Sequence, residues 1–288
     1  MIEKPRIVDL LKKDIRKQLT EIYGQLLKTK AKKRIKLPAK ILMADDHHIP
    51  FANIELAEEM MRMDGDADGF VWGEVINFDA FAVYVKNYIS DPTQEDMMAE
   101  NLVNYYLEHF NYGYTLDNNH MLRLDKMLSR ILDPIQLAYI RNRFQGLLPT
   151  FTTISKKVKY VGMPVVQLGR AVFAHFDTFS STPGRTVEWV MEGVLNWNDC
   201  YGITDNFDSV WIGHTHNQNY HTMYKKMVVE AGCMCYAQDY LFRSKMTAAH
   251  RKFRWVNGYG VVYLQKDGST DMKKSHTQFL GFAKLPEI

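Results

Sequence analysis

Cysteine is scarce in this chain: three residues in 288, at positions 200, 233 and 235. So odd and sparse a set builds no disulfide framework and fits a reducing compartment. The Cys233-Met234-Cys235 pair has the outline of a soft-metal fragment, but in an apolar stretch it reads as two buried thiols. Long apolar runs are missing too. None approaches the roughly 18 to 20 residues of a membrane span, and the N-terminus has no apolar core of a secretory signal. The expectation is a soluble, cytoplasmic protein without a membrane partner. Charge of one sign is also lacking: 36 Lys and Arg stand against 33 Asp and Glu, and a net charge of +3 does not by itself announce nucleic acid. There is no internal repeat and no low-complexity segment, which sets aside solenoid arrays.

What is present is a normal globular composition, 46% hydrophobic, long enough for one main domain with appendages. Residues 6–30 place Ile7, Leu11, Ile15, Leu19, Ile22 and Leu26 on one helical stripe. The other face carries Lys12, Lys13, Arg16 and Lys17, and a basic stretch follows to Lys36. Residues 1–38 therefore read as a basic amphipathic helix and linker. That arm is either a phosphate-backbone contact or an ordinary solvated face.

From residue 39 the pattern becomes strand, loop, helix, strand. Ile41 to Ala44 forms a short buried strand, and Asp45-Asp46-His47-His48 follows at once. In an extended backbone i and i+2 share a side, so Asp46 and His48 can face one ion while His47 turns away. Pro50 and Asn53 open a helix over Ile54–Met63. A second apolar run, Gly69 to Gly73, ends in Glu74, and two parallel strands joined by a helix imply an α/β core with ligands outside the carboxyl ends of its strands. Residues 80–116 read as mainly helical and end in Asn118-Asn119-His120. A helical insertion is expected around 121–150, including a helix capped by Asp133 with Pro134 at its first position. Val165 to Ala174 reads as two short strands around Gly169-Arg170, the second delivering His175. Ser180 to Thr186 opens a helix with Val187, Val190, Met191 and Val194 on one face. Arg185 there is either a phosphate contact at the helix start or part of a plain capped turn. Ser209 to Ile212 is a strand ending in Gly213-His214-Thr215-His216, and Met227–Tyr236 and Tyr259–Leu264 are further strands closed by a turn at Asp267-Gly268.

The strand ends thus collect Asp46, His48, Glu74, Asn119, His120, His175, His214 and His216. This is a two-metal inventory, and its mixed nitrogen and oxygen donors suit Mn, Fe, Zn or Co over Ca or Mg. Two such ions can hold a bridging hydroxide and clamp both ends of an in-line displacement at phosphorus. The order and wording of the clusters, Asp46-His47-His48, Gly73-Glu74, Asn118-Asn119-His120-Met121, His175-Phe176 and Gly213-His214-Thr215-His216, resemble the calcineurin-like metallophosphoesterase family. The resemblance covers about Lys40 to Gln265. It implies a four-layer α-β-β-α sandwich of two mixed sheets, and two divalent metals, manganese first, with iron, zinc, cobalt or nickel as others. Asp46, His48 and His216 would hold one metal, Asn119, His175 and His214 the other, with Glu74 bridging. His120 would contact the phosphate and protonate the leaving oxygen.

The sequence also departs from that pattern. Glu74 stands where the family has Asp, longer by about 1.5 Å, when a working site tolerates about 0.5 Å. Asn77 removes a nearby charge that Asp45 or Asp79 could restore, Met121 replaces an acidic partner of His120, and Phe176 replaces a glycine and narrows the mouth. The implied activity is metal-dependent phosphoester hydrolysis. Arg123, Lys126, Arg130, Arg141, Arg143, Lys156, Lys157 and Lys159 point to a phosphodiester in nucleic acid or a nucleotide, with Arg123 and Arg185 as substrate contacts. The alternatives are a phosphomonoester or phosphoprotein substrate, and a catalytically weakened scaffold kept for binding.

Overall fold

A computed structural model describes residues 35–78, 81, 91–120, 123–128, 130, 157–178, 180, 182, 184–237 and 255–284. The expected N-terminal helix and the helix from Asp133 lie outside these residues. Of the expected insertion, a helix over Arg123–Leu128 is described.

The described chain forms two mixed sheets with helices packed on them, an α/β sandwich. The first sheet contains β1 (Ala39–Met43), β2 (Gly69–Trp72), β3 (Tyr112–Thr115), β4 (Val158–Tyr160), β10 (Val256–Leu264) and β11 (His276–Phe282), in the order β11-β10-β1-β2-β3-β4. The second contains β5 (Val165–Leu168), β6 (Ala171–Ala174), β7 (Ser209–Ile212), β8 (Gln218–Met223) and β9 (Lys226–Ala231), in the order β5-β6-β7-β9-β8. Strands β1 to β4 run parallel, as do β6, β7 and β9. Their near-continuous apolar runs, such as GFVW and SVWI, are buried throughout, as strands covered on both faces must be. The sheets meet at Gly260, where a Cβ would lie 2.9 Å from the Trp211 ring.

Helix α1 (Ile54–Asp64) buries Ala57, Met60, Met61 and Asp64, one helical stripe, against the first sheet. Asn53 stands at its N-cap in an extended conformation without a side-chain capping bond. Helix α2 (Pro92–His109) is capped by Asp91, which accepts from the Thr93 N–H at 2.9 Å, with Pro92 at its start. After α3 (Arg123–Leu128), helix α4 (Arg185–Tyr201) buries Val187, Val190, Met191 and Val194 against the second sheet.

The structure corrects two readings. Residues 112–115 are a strand, not the end of a helix: Phe110 closes α2, and Gly113 passes so near Phe70 that a Cβ would sit 2.3 Å from its ring. Strand β9 stops at Ala231, because Gly232 turns at φ +94° and residues 233 and 235 make isolated bridges to Asn257 and Ala52. Strands β4, β8 and β11 lie at sheet edges. Beside one neighbour only, their residues stay polar or mixed and carry no alternating signal. Among the described residues no helix is long and apolar enough to cross a membrane.

Candidate metal centre

The site forms where β1, β2 and β3 of one sheet and β6 and β7 of the other reach their carboxyl ends. After β1 the chain does not stay extended: Asp46 and His48 have φ of +54° and +49°. After β7, His214 and His216 repeat the device at +74° and +55°. Left-handed backbone costs a side-chain-bearing residue about 1 kcal/mol or more and clusters where function requires it. His47, between the first pair, turns into the core. Its Nε2 lies 2.7 Å from the Tyr106 hydroxyl, and burial pushes its pKa down to about 4. The predicted divergence of His47 from Asp46 and His48 holds, through left-handed turns and not through strand alternation.

These turns bring the predicted groups together. Nε2 of His48 lies 2.9 Å from Nε2 of His216, and Oδ1 of Asp46 lies 3.9 Å and 3.6 Å from those two nitrogens. Oε1 of Glu74 sits 2.5 Å from His48 Nδ1 and 2.6 Å from His120 Nδ1, while Oε2 sits 3.6 Å from His175 Nε2. Glu74, His175 and His214 each offer a ligand atom within 4.8 Å of the others. Glu74 therefore reaches both histidine groups despite its extra methylene. Asn119 and His175 line one cavity.

Asp45, which the sequence offered only as a spare carboxylate, organises the site. Its Oδ1 accepts N–H groups from Asp46, Gly73 and Glu74 at 2.7–2.8 Å. Its Oδ2 accepts His175 Nδ1–H at 2.9 Å. That bond fixes the orientation of the His175 ring; burial opposes its charge, but Asp45, Glu74 and Asp46 raise its pKa well above the usual value, so a cation bound at Nε2 would displace a proton there. The glycines of both motifs serve this carboxylate. A Cβ on Gly213 would lie 2.0 Å from Asp45 Oδ2, and one on Gly73 would lie 2.2 Å from the His175 ring.

The remaining predicted residues fall into two groups. His120 Nδ1 lies 3.1 Å from the Asn77 carbonyl, and its Nε2 accepts from Arg123 Nη2 at 2.9 Å, while Arg123 Nη1 donates to the same carbonyl. Burial pushes His120 down to about 4, against the pull of Glu74, and Arg123 lowers it further. Burial thus disfavours the imidazolium form of His120 in this environment. Arg185 pairs with Glu188 at 2.7 Å and sits 5.7 Å over the Trp189 ring. Lys157 precedes β4 and donates to the Leu107 carbonyl, and Lys159 lies over Tyr114. Lys157 thus stands at the amino end of the parallel strands, about 10 Å of strand from their carboxyl ends. It does not line the approach. Arg141, Arg143, Lys156, Asp79 and Met121 lie outside the described residues.

The charge pattern fits cation binding. Burial opposes the charge on Glu74, but His120 and His48 overcome it and hold the carboxyl well below its usual range. Burial likewise opposes Asp46, and His216, His175 and His48 pull it down. His214 is pushed down to about 4 by burial and by His175. Asp46 Oδ1 and Asn119 Oδ1 are buried without a hydrogen-bonding partner, and the buried Glu74 oxygens face imidazole nitrogens alone. Buried acceptors left in this way are costly unless a cation satisfies them. The donor set therefore fits two divalent ions. Replacing His214 by Ala should remove about one ion from the bound stoichiometry, and an unchanged metal content would refute its assignment as a ligand.

No protein-family model matches the sequence, and no curated protein matches it. Similar solved structures include a novel archaeal phosphodiesterase, 12% identical over 84% of this chain and 99% of that one, with a TM-score of 0.39. A hypothetical protein from Pyrococcus horikoshii OT3 is 10% identical, over 86% and 89% of the two chains, with a TM-score of 0.45. Vps29 from Entamoeba histolytica, complexed with zinc, is 10% identical over 83% and 98%, with a TM-score of 0.39. At these scores the likenesses carry no argument about what this chain does. That reading rests on the residues.

Proposed function

We propose that the protein is a metal-dependent phosphoesterase, acting on phosphodiesters of nucleotide type through two divalent ions at this site. The observation that carries the reading is the Glu74 carboxylate, fully buried, with one oxygen against His48 and His120 and the other facing His175. A carboxylate placed between His48 on one side and His175 on the other suits a bridge between a pair of cations. When bound, the ions supply Lewis acidity to phosphoryl oxygens and acidify the attacking water. Asp46, His48 and His216 would hold one ion, and Asn119, His175 and His214 the other.

The chain's own groups do the rest. Arg123, clamped by His120 and the Asn77 carbonyl, presents a guanidinium beside the site that suits a phosphate oxygen. His120, accepting from Arg123, holds that guanidinium in place. A cavity of about 610 Å³ adjoins Asn119 and His175 and is lined by Phe176, Trp189, Tyr201 and Lys126. Its size and aromatic wall suit a nucleoside-sized group. Phe176 builds part of that wall against Tyr201, ring centroids 5.4 Å apart.

The test is hydrolysis of bis-p-nitrophenyl phosphate, p-nitrophenyl phosphate, a nucleotide diester and single-stranded DNA by metal-reconstituted protein, wild type and Glu74→Asp. Chelator-sensitive turnover of the diesters is expected, falling about 10–100-fold in Glu74→Asp. Glu74 in the bridging place also favours a second reading, a weakened scaffold kept for binding. Silence from the wild type, with activity appearing in Glu74→Asp, would establish that reading instead.

A further inference from the structure

The Cys233–Cys235 segment has no part in the function proposed above, and the fold returns it to the site. Gly232 turns the chain out of β9, and the next residues lie against the Asp46–His48 turn. Met234 N–H donates to the Asp45 and Asp46 carbonyls, Cys235 bridges to Ala52, and Tyr236 N–H donates to the Phe51 carbonyl at 2.8 Å. Asn257 Nδ2 fixes the Cys235 carbonyl at 2.8 Å. Cys235 is fully buried, and its sulfur lies within 4.8 Å of a ring nitrogen of His48 and one of His216. Cys233 is held by the Val256 carbonyl and Asn257 and lies beside the Cys235 thiol. Trp255 closes this pocket, stacked on His48 at 18° and edge-on to His216 with centroids 3.9 Å apart.

A thiol packed as mere core would have apolar neighbours. This one lies beside two imidazoles, and Asp46 Oδ1, a buried carboxylate oxygen, sits 3.9 Å and 3.6 Å from the Nε2 atoms of the same two rings. In a tetrahedral zinc site, bonds of about 2.0 Å to nitrogen and 2.3 Å to sulfur set nitrogen and sulfur about 3.5 Å apart. A small closure of the pocket reaches that spacing. We propose that Cys235 is a further ligand of the cation held by Asp46, His48 and His216 beside the shared Glu74, adding sulfur to its nitrogen and oxygen donors so that this position selects zinc over manganese. The inference rests on the two-ion reading above. Sulfur donors favour zinc, whereas manganese prefers oxygen, so the manganese expected from the ligand list gives way at this position. On binding, the S–H bond breaks, an S–metal bond forms, and the proton passes to solvent.

Cobalt(II) titration of metal-free protein tests this, comparing wild type, Cys235→Ser, Cys235→Ala and Cys233→Ser. Visible d–d bands report cobalt binding with any donor, and a near-ultraviolet charge-transfer band reports sulfur alone. Both are expected in wild type and Cys233→Ser, with the charge-transfer band lost and the d–d bands kept in the Cys235 variants. The preference for zinc over manganese should fall about 10–100-fold in those variants. Because the wild-type spectrum decides the matter by itself, a Cys235 variant that fails to fold does not. Visible bands without charge transfer in wild type would overturn the sulfur ligand and leave the two-ion reading standing. No bands at all would overturn both.

Discussion

Asp45→Asn should lower affinity at the His175 position about 10–100-fold while leaving every direct metal ligand in place. The Asp45 carboxylate takes three backbone N–H groups on Oδ1 and His175 Nδ1–H on Oδ2. An asparagine can still turn its oxygen to the three amides, but its NH₂ then faces His175 Nδ1. The imidazole must move its proton to Nε2, and the lone pair that should meet the cation is gone. Calorimetric metal titration measures this directly, and unchanged affinity at both positions would remove Asp45 from its positioning role. Asp45→Ala should be harsher, because three buried donors and an imidazole lose their partner together. A cost of about 3–5 kcal/mol is expected, read as a fall of about 10 °C in Tm with chelator present.

Gly213→Ala should be comparably damaging although it removes no polar group. The new Cβ would lie 2.0 Å from Asp45 Oδ2 and 2.5 Å from its Cγ, inside any permissible contact. The carboxylate cannot retreat, because three backbone amides hold its other oxygen. Either β7 shifts away from the first sheet or Asp45 releases His175. Overpacking of this kind costs about 1–3 kcal/mol or more, so Tm should fall by several degrees while hydrolysis and cation content fall together. Wild-type activity in this variant would mean that the contact between Gly213 and Asp45 relaxes freely and the proposed geometry is too rigid.

Much of the site was legible in the sequence because four of its candidate groups follow apolar runs of four or five residues, whereas Asn119 and His120 follow a strand that read as the end of a helix. The end of a parallel strand is where polar side chains can meet, so Asp46, Glu74, His175 and His214 could be placed by counting. What could not be read falls into three kinds. The left-handed turns at Asp46, His48, His214 and His216 carry no glycine or asparagine to betray them, since the site itself supplies the compensation. Asp45 looked redundant beside Asp46, although a doubled carboxylate after a strand is the signal that one of them faces backbone. Cys235 reaches the site through its bridge to Ala52 and Trp255 through ring contacts with His48 and His216, across long stretches of chain that no local pattern records. The edge strands β4, β8 and β11 escaped for a plainer reason: with one neighbour each, they need no uniform apolar run.

One feature of the site reaches beyond chemistry. Asp46, His48 and Glu74 belong to the loops of one sheet, and His175, His214 and His216 to those of the other. Asp46 and His214, which already share a 2.6 Å hydrogen bond, are 168 residues apart. Cations seated between them would tie distant parts of the folded chain together, and because the unfolded chain does not assemble the site, their binding free energy would add directly to folding stability. In a chain too poor in cysteine for a disulfide framework, the groups that do the chemistry would also be the staple that keeps the two sheets together.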